Sequence, residues 1–274
     1  MLKAILASTF ILLSFTAIGQ SVSIKGLVKA GKEPIPYVNI GIKQKGIGAA
    51  ATEEGRFTLT LPGNHLQDTL TFSAVGYQEL SVPFQVILAT NQQEFILTEK
   101  ATSLKEVVVT NRKTKIRKIG ITSRNPFVHG TSQARDPNDI AELGKFFKLN
   151  DKPSDLLAVS LYLRSEKIDS ATMRINFYEN AKGDPGERLV EKSIIKRLPM
   201  RKGWVTIDLA DYAIVVDKDF FIGFEYLPDP SHKGEFMFTY GGDIGGFHHN
   251  RKASLGKWEK GTGVQLASYI TVRQ

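Results

Sequence analysis

Apolar residues in this chain recur at every second position, in short runs, over two long stretches. A period of two means strands with one buried and one wet face. From Val22 to about Thr98 the sets are Val22/Ile24/Val28, Val38/Ile40/Ile42, Phe57/Leu59/Leu61, Leu70/Phe72/Ala74 and Phe95/Leu97. Turn signals at Gly31-Lys32-Glu33-Pro34, Glu54-Gly55 and Pro62-Gly63-Asn64 separate them. A second series runs from about Asp139 to the end: Leu157/Val159/Leu161/Leu163, Met173/Ile175/Phe177, Val205/Ile207/Leu209, Phe220/Ile222/Phe224/Tyr226, Phe236/Phe238/Tyr240 and Leu266/Ser268/Ile270/Val272. The expected class is all-β, with two sandwiches in tandem. Ile140 to Leu149 also fits one helix face, but Gly144 costs a helix about 1 kcal/mol, which favours a strand.

Of the 274 residues, 42% are hydrophobic and 23% charged, ordinary for a globular chain. The absence of cysteine excludes disulfides, iron–sulfur clusters, thiolate zinc sites, cysteine nucleophiles and a lipoprotein anchor. Met1-Leu2-Lys3 followed by the apolar run Ala4 to Ile18, ending on small residues, predicts a signal peptide over residues 1–19. The run is roughly 15 residues, short of the roughly 20 that span a bilayer. The expectation is an exported protein with no transmembrane span once that segment is removed, in the periplasm, at the outer membrane or on the cell surface.

Four motifs then carry a family resemblance. Gly26-Leu27-Val28, Pro34-Ile35-Pro36-Tyr37-Val38-Asn39-Ile40, Ala51-Thr52-Glu53-Glu54-Gly55-Arg56-Phe57 and Phe72-Ser73-Ala74-Val75-Gly76-Tyr77 resemble the carboxypeptidase-regulatory-like domain of Bacteroidetes type. That resemblance implies a seven-stranded, transthyretin-like sandwich over residues 20–98. Leu104-Lys105-Glu106-Val107-Val108-Val109-Thr110 is similar to the segment before the plug of TonB-dependent receptors, although too little chain follows to build plug and barrel. Asp169 to Tyr178, Gly203 to Leu209 and Asp219 to Glu225 resemble jelly-roll domains of secreted Bacteroidetes proteins, implying a jelly-roll-like β-sandwich over residues 126–274.

Between the two sandwiches, residues 99–125 read as a basic linker. The chain carries Lys+Arg 36 against Asp+Glu 28, a formal charge of +8, and Arg112, Lys113, Lys115, Arg117 and Lys118 concentrate it there. This run suits an anionic envelope surface. No aromatic interleaving offers bases a stacking platform, so nucleic acid is not an expected partner.

No motif specifies catalysis. His232-Lys233-Gly234-Glu235 has the first spacing of a zinc carboxypeptidase, but too few residues follow for the remaining ligands. A structural divalent metal on His232, Asp243, His248 and His249 is the alternative to no cofactor at all. Asp208, Asp211, Asp217 and Asp219 suit calcium or, more simply, strand-flanking turns. No Gly-x-Ser-x-Gly elbow occurs. Among aromatic residues that a glycan would stack on, Trp258, flanked by Gly256 and Gly261, leads, with Tyr240 and Tyr269; Trp204 reads as a core or edge anchor.

The sequence therefore points to a non-enzymatic envelope binding or scaffolding module whose partner is an envelope protein or glycan. The alternatives are a glycan- or peptide-acting hydrolase assembled from scattered Asp, Glu and His residues, and an accessory of an outer-membrane transport complex.

Overall fold

The computed structural model describes residues 21–100, 114–164, 168–229 and 238–274. The signal segment, the Val107–Thr110 motif, Arg112, Lys113 and His232 lie outside the described residues. The rest is all-β, in two sandwiches.

The first contains β1 (Ser21–Ala30), β2 (Glu33–Pro34), β3 (Asn39–Ile42), β4 (Ile47–Ala50), β5 (Arg56–Pro62), β6 (Thr69–Ser73), β7 (Leu80–Pro83), helix α1 (Phe84–Thr90) and β8 (Glu94–Ile96). One sheet has the order β2-β1-β5, with β8 added parallel to β1, and the other the order β4-β3-β6-β7. Alternation along β5 buries Phe57, Leu59 and Leu61 and turns the residues between them outward, as the period of two requires. Phe57, Phe72 and Phe95 pack ring to ring at the centre, with centroids 4.3 to 5.7 Å apart. Gly55 sits at φ +73°, and a Cβ there would come within 2.6 Å of the Val28 carbonyl oxygen, so this turn admits only glycine. Eight strands replace the expected seven, because Glu33–Pro34 folds back on Lys29 and Ala30 of β1. Helix α1, which buries Phe84 and Ile87, is too short to show helical periodicity in the sequence.

The second sandwich contains β9 (Ile116–Gly120), β10 (His129–Ser132), β11 (Ala141–Phe147), β12 (Ser154–Leu163), β13 (Ser170–Ala181), β14 (Asp184–Arg188) and β15 (Ile195–Pro199). It continues with β16 (Gly203–Asp208), β17 (Val215–Val216), β18 (Phe220–Tyr226), β19 (Phe238–Arg251), β20 (Glu259–Leu266) and β21 (Ser268–Arg273). One layer runs β9-β21-β12, with β16 and β17 on the far side of β12. The other runs β14-β13-β18-β11-β19, with β15 also on β13 and β20 on β19. Strand β19 joins the layers: its start pairs with β10 and with Leu163 of β12, and its end pairs with β11. Leu161, Ile175, Phe177, Phe220, Phe224 and Ile270 are among the side chains buried between the layers.

The linker boundaries need correcting at both ends. Glu99 bridges to Tyr77, and the Lys100 amide donates to the Gly76 carbonyl, so both belong to the first sandwich. Lys115, Arg117 and Lys118 lie in or beside edge strand β9, paired with β21 from Ile116↔Arg273 to Gly120↔Tyr269. A charged edge strand deters pairing with another chain, and in sequence its charge outweighs the weak alternation of Ile119. The sandwiches also touch. Ala50 packs with Ile140 and Leu227, the Ala50 amide donates to the Asn138 carbonyl at 2.8 Å, and the Gln44 amide donates to the Leu255 carbonyl at 2.9 Å.

Candidate functional site

Each layer of the second sandwich has an outer face, and the two differ completely. On the layer containing β13, β18, β11 and β19, strand pairing aligns one outward row as Arg174, Glu225, Glu142 and Arg251. Two carboxylates stand side by side with a guanidinium at each end. The next row, Asn176, Gly223, Gly144 and His249, places glycine on the central strands. A Cβ on Gly223 would lie 2.1 Å from Glu142 Oε1, so the missing side chain is what makes room for the carboxylate.

Every carboxylate oxygen in this row accepts a hydrogen bond. Glu225 Oε1 accepts from Asn39 Nδ2 at 2.8 Å and Arg174 Nη2 at 2.9 Å, and Oε2 accepts from Arg174 Nε at 2.6 Å and Asn176 Nδ2 at 2.7 Å. Glu142 Oε1 accepts from Asn176 Nδ2 and the Tyr178 hydroxyl, both at 2.8 Å, and Oε2 accepts from Arg251. The first sandwich supplies the cover. Arg174 Nη1 donates to the Tyr37 carbonyl and Nη2 to Asn39 Oδ1, both at 2.8 Å. Tyr37 adopts φ 54°, a left-handed conformation costing roughly 1–2 kcal/mol in a non-glycine residue. Arg174, Glu142 and Glu225 are all buried.

Burial alone raises a carboxyl pKa, but the Arg174 guanidinium outweighs it and holds Glu225 at about 2. Burial and the neighbouring Glu142 push the Tyr178 phenol up. The cluster is thus a paired lock between the two domains in which every carboxylate oxygen is engaged, while Arg251 Nε is buried without a hydrogen-bond partner. Acid–base chemistry needs a carboxyl that reaches substrate, and here both are occupied by arginine and amide groups.

Alternation along β9, β21, β12 and β16 produces the opposite arrangement. Gly120, Tyr269, Ser160 and Thr206 align in one outward row, Lys118, Thr271, Ala158 and Asp208 in the next, and Tyr162 pairs with Trp204 on the other side. This face is open. Trp204 is 37% exposed, edge-on to Tyr162 at 5.4 Å and tilted against Tyr269 at 5.0 Å. Tyr162 is buried under Arg124, which sits 4.6 Å over its ring, so it anchors Trp204 from below. Lys118 Nζ lies 4.6 Å over the Tyr269 ring. Hydrogen bonding to Ser160, with lesser contributions from Lys118 and Thr206, draws the Tyr269 phenol below its ordinary pKa.

The residues singled out from sequence separate accordingly. Tyr269 lies on the open face. Tyr240 is buried, and burial raises its phenol pKa. Trp258 is half-buried and caps the locked face, edge-on to Tyr178 at 5.7 Å and 4.7 Å from the Arg251 guanidinium. Trp204, expected to be a core or edge anchor, stands on edge strand β16, packed on Tyr162 and Tyr269 with part of its ring exposed. Cross-strand partners decide which aromatic is wet, and a single strand's sequence does not contain them.

His248 and His249 do not form a cluster of three with Asp243. His248 Nδ1 meets the Val264 carbonyl at 2.9 Å, whereas its strand neighbour His249, on the opposite side of β19, meets Asp184 Oδ1 at 2.8 Å. Burial lowers the His249 pKa, and Asp184 opposes that shift. Asp243 Oδ1 accepts from the Ile244 amide at 2.9 Å. Among the described residues no group of three metal-ligating side chains converges. Asp208 and Asp219 serve the backbone, accepting from the Ala210 and Leu149 amides at 2.9 and 2.8 Å.

No curated protein matches the chain in sequence. Among solved structures, similarity extends to the cysteine protease and lectin-like domains of Cwp84, a surface layer associated protein of Clostridium difficile. The identity is 7% and the TM-score 0.39, covering 93% of this chain and 58% of that one. The T13 particle of infectious bursal disease virus gives 7% identity and a TM-score of 0.26, covering 92% of this chain and 61% of that one. This chain therefore spans less than two thirds of each. The N-terminal unit has a firmer relationship: residues 24–109 match the CarboxypepD_reg-like domain family, and the first sandwich is a domain of that family, non-catalytic and of a regulatory or binding type.

Proposed function

We propose that the protein is an exported, non-enzymatic binding module of the cell envelope, and that the open face of its second sandwich takes a saccharide. The observation that carries this reading is Trp204, an indole exposed on this layer beside Tyr269, with the Thr206 hydroxyl in the neighbouring row. A pyranose offers one apolar face and a rim of hydroxyls. A flat aromatic ring with hydroxyl groups within side-chain reach matches both. The strands hold these groups in fixed register, so little ordering is needed on binding. The described residues of the CarboxypepD_reg-like domain brace the opposite layer and not this one.

Isothermal titration of the purified chain against neutral and acidic polysaccharides tests the reading. Binding lost in Trp204→Ala and retained in Trp258→Phe is the expected result. Binding that survives Trp204→Ala, or no binding by any member of a panel spanning dextran, mannan, cellulose oligosaccharides, polygalacturonate and alginate, overturns it.

A further inference from the structure

Resting on the saccharide reading, we propose that the ligand is an acidic polysaccharide, with the pyranose of a uronate unit on Trp204 and its carboxylate on Lys118. Charge is what selects this class. Lys118 lies one aromatic ring away from the indole, 4.6 Å over Tyr269, which itself lies 5.0 Å from Trp204. Arg201 and Lys202 occupy the exposed turn leading into Trp204, and Arg124 lies half-exposed over Tyr162. Arg117 and Lys115, both exposed, continue the positive edge around β9.

The carboxylates of these outward rows do not cancel that charge at the aromatic end. Asp155 pairs with Arg273 Nη1 at 3.1 Å, and Asp208 stands at the far end of the Lys118 row, with β21 and β12 between them. In the free protein Lys118 rests on Tyr269, over its ring and hydrogen-bonded to its neutral hydroxyl, and both contacts are weak at an exposed site. A carboxylate is the stronger partner, and lysine's four-carbon stem lets the ammonium move to it without displacing the strand. A uronate carries its charge directly on the stacked ring, which distinguishes it from a neutral sugar with the same footprint.

Polygalacturonate and its fully methyl-esterified form have the same backbone and differ in charge, so titrating the chain with both isolates the carboxylate. The expected result is tight binding of polygalacturonate, at least tenfold weaker binding of the ester, and a similar loss in Lys118→Gln with folding intact by circular dichroism. Trp204→Ala abolishes binding of both. Equal affinity for acid and ester, both lost in Trp204→Ala, overturns the acidic assignment and leaves the saccharide reading standing. Binding of the acid unchanged in Trp204→Ala but abolished by 0.5 M salt signals charge adhesion alone and overturns both. Failure to bind either polymer or another uronate polymer such as alginate overturns the acidic assignment, and the neutral panel then decides the broader reading.

Discussion

The two outer faces of the second sandwich are made by the same strand grammar and have opposite fates. On one, alternation delivers Arg174, Asn176 and Tyr178 beside Glu225, Glu142 and Arg251, and the first domain closes over them. On the other it delivers Trp204, Tyr269, Thr206 and Lys118, and nothing among the described residues covers them. The charged residues are therefore inside and an indole is outside, the reverse of a hydropathy reading. Burial of charge is tolerated only where every partner is present. The closed face meets that condition for all four glutamate oxygens, with two arginines and a set of amide and phenol groups, and leaves Arg251 Nε as a buried donor without a partner. The open face does not need to meet it, because water solvates its polar groups.

The largest expected effect comes from breaking the closed face. Arg174→Ala leaves Glu225 buried without its main partner and should lower unfolding free energy by about 3–5 kcal/mol in urea denaturation. Joint replacement by Arg174→Met and Glu225→Leu should cost distinctly less, since no charge is then stranded. If the single and double variants are equally destabilised, the row is not a coupled lock.

Capping rings come next. Trp258→Ala removes the half-buried ring over Tyr178 and Arg251 and should cost about 2–3 kcal/mol, while Trp204→Ala on the open face should cost about 1 kcal/mol. The reverse order in melting temperature would dissolve the distinction between cap and binding ring.

A smaller effect lies in the pH profile. Glu225 is depressed from 4.5 to about 2 in the fold, so its contribution is fully present above 4.5 and is lost as pH falls toward 2. Asp139, at the domain junction, is displaced the other way: burial raises it from 3.8 to about 7, despite bonds from the Ile140 and Ser254 amides at 2.8 Å. Its contribution is greatest below 3.8 and is lost as pH rises through 7. Asp139→Asn keeps an oxygen for those amides and should flatten the stability profile between pH 4 and 7. An unchanged slope there would remove Asp139 from the balance. The smallest effect belongs to Lys118→Gln, which should move stability by no more than about 0.5 kcal/mol.

The sequence by itself determined the all-β class, the position of the first domain and most of its core. Period-two sets and glycine turns are local signals, and Val28, Val38, Phe57, Leu59, Phe72 and Phe95 are buried as their spacing requires. It also carried the residues of both faces as ordinary wet positions between buried ones. Tertiary structure alone decided which of those positions stay wet. Arg174 and Glu225 are 51 residues apart, and Asn39 is 135 from Arg174, so their pairing exists only once strands from two domains are in register. Trp204 and Tyr269 likewise become neighbours only through β12, which lies between their strands. A strand's alternation fixes which side chains share a face, and what lies against that face is set by the rest of the chain.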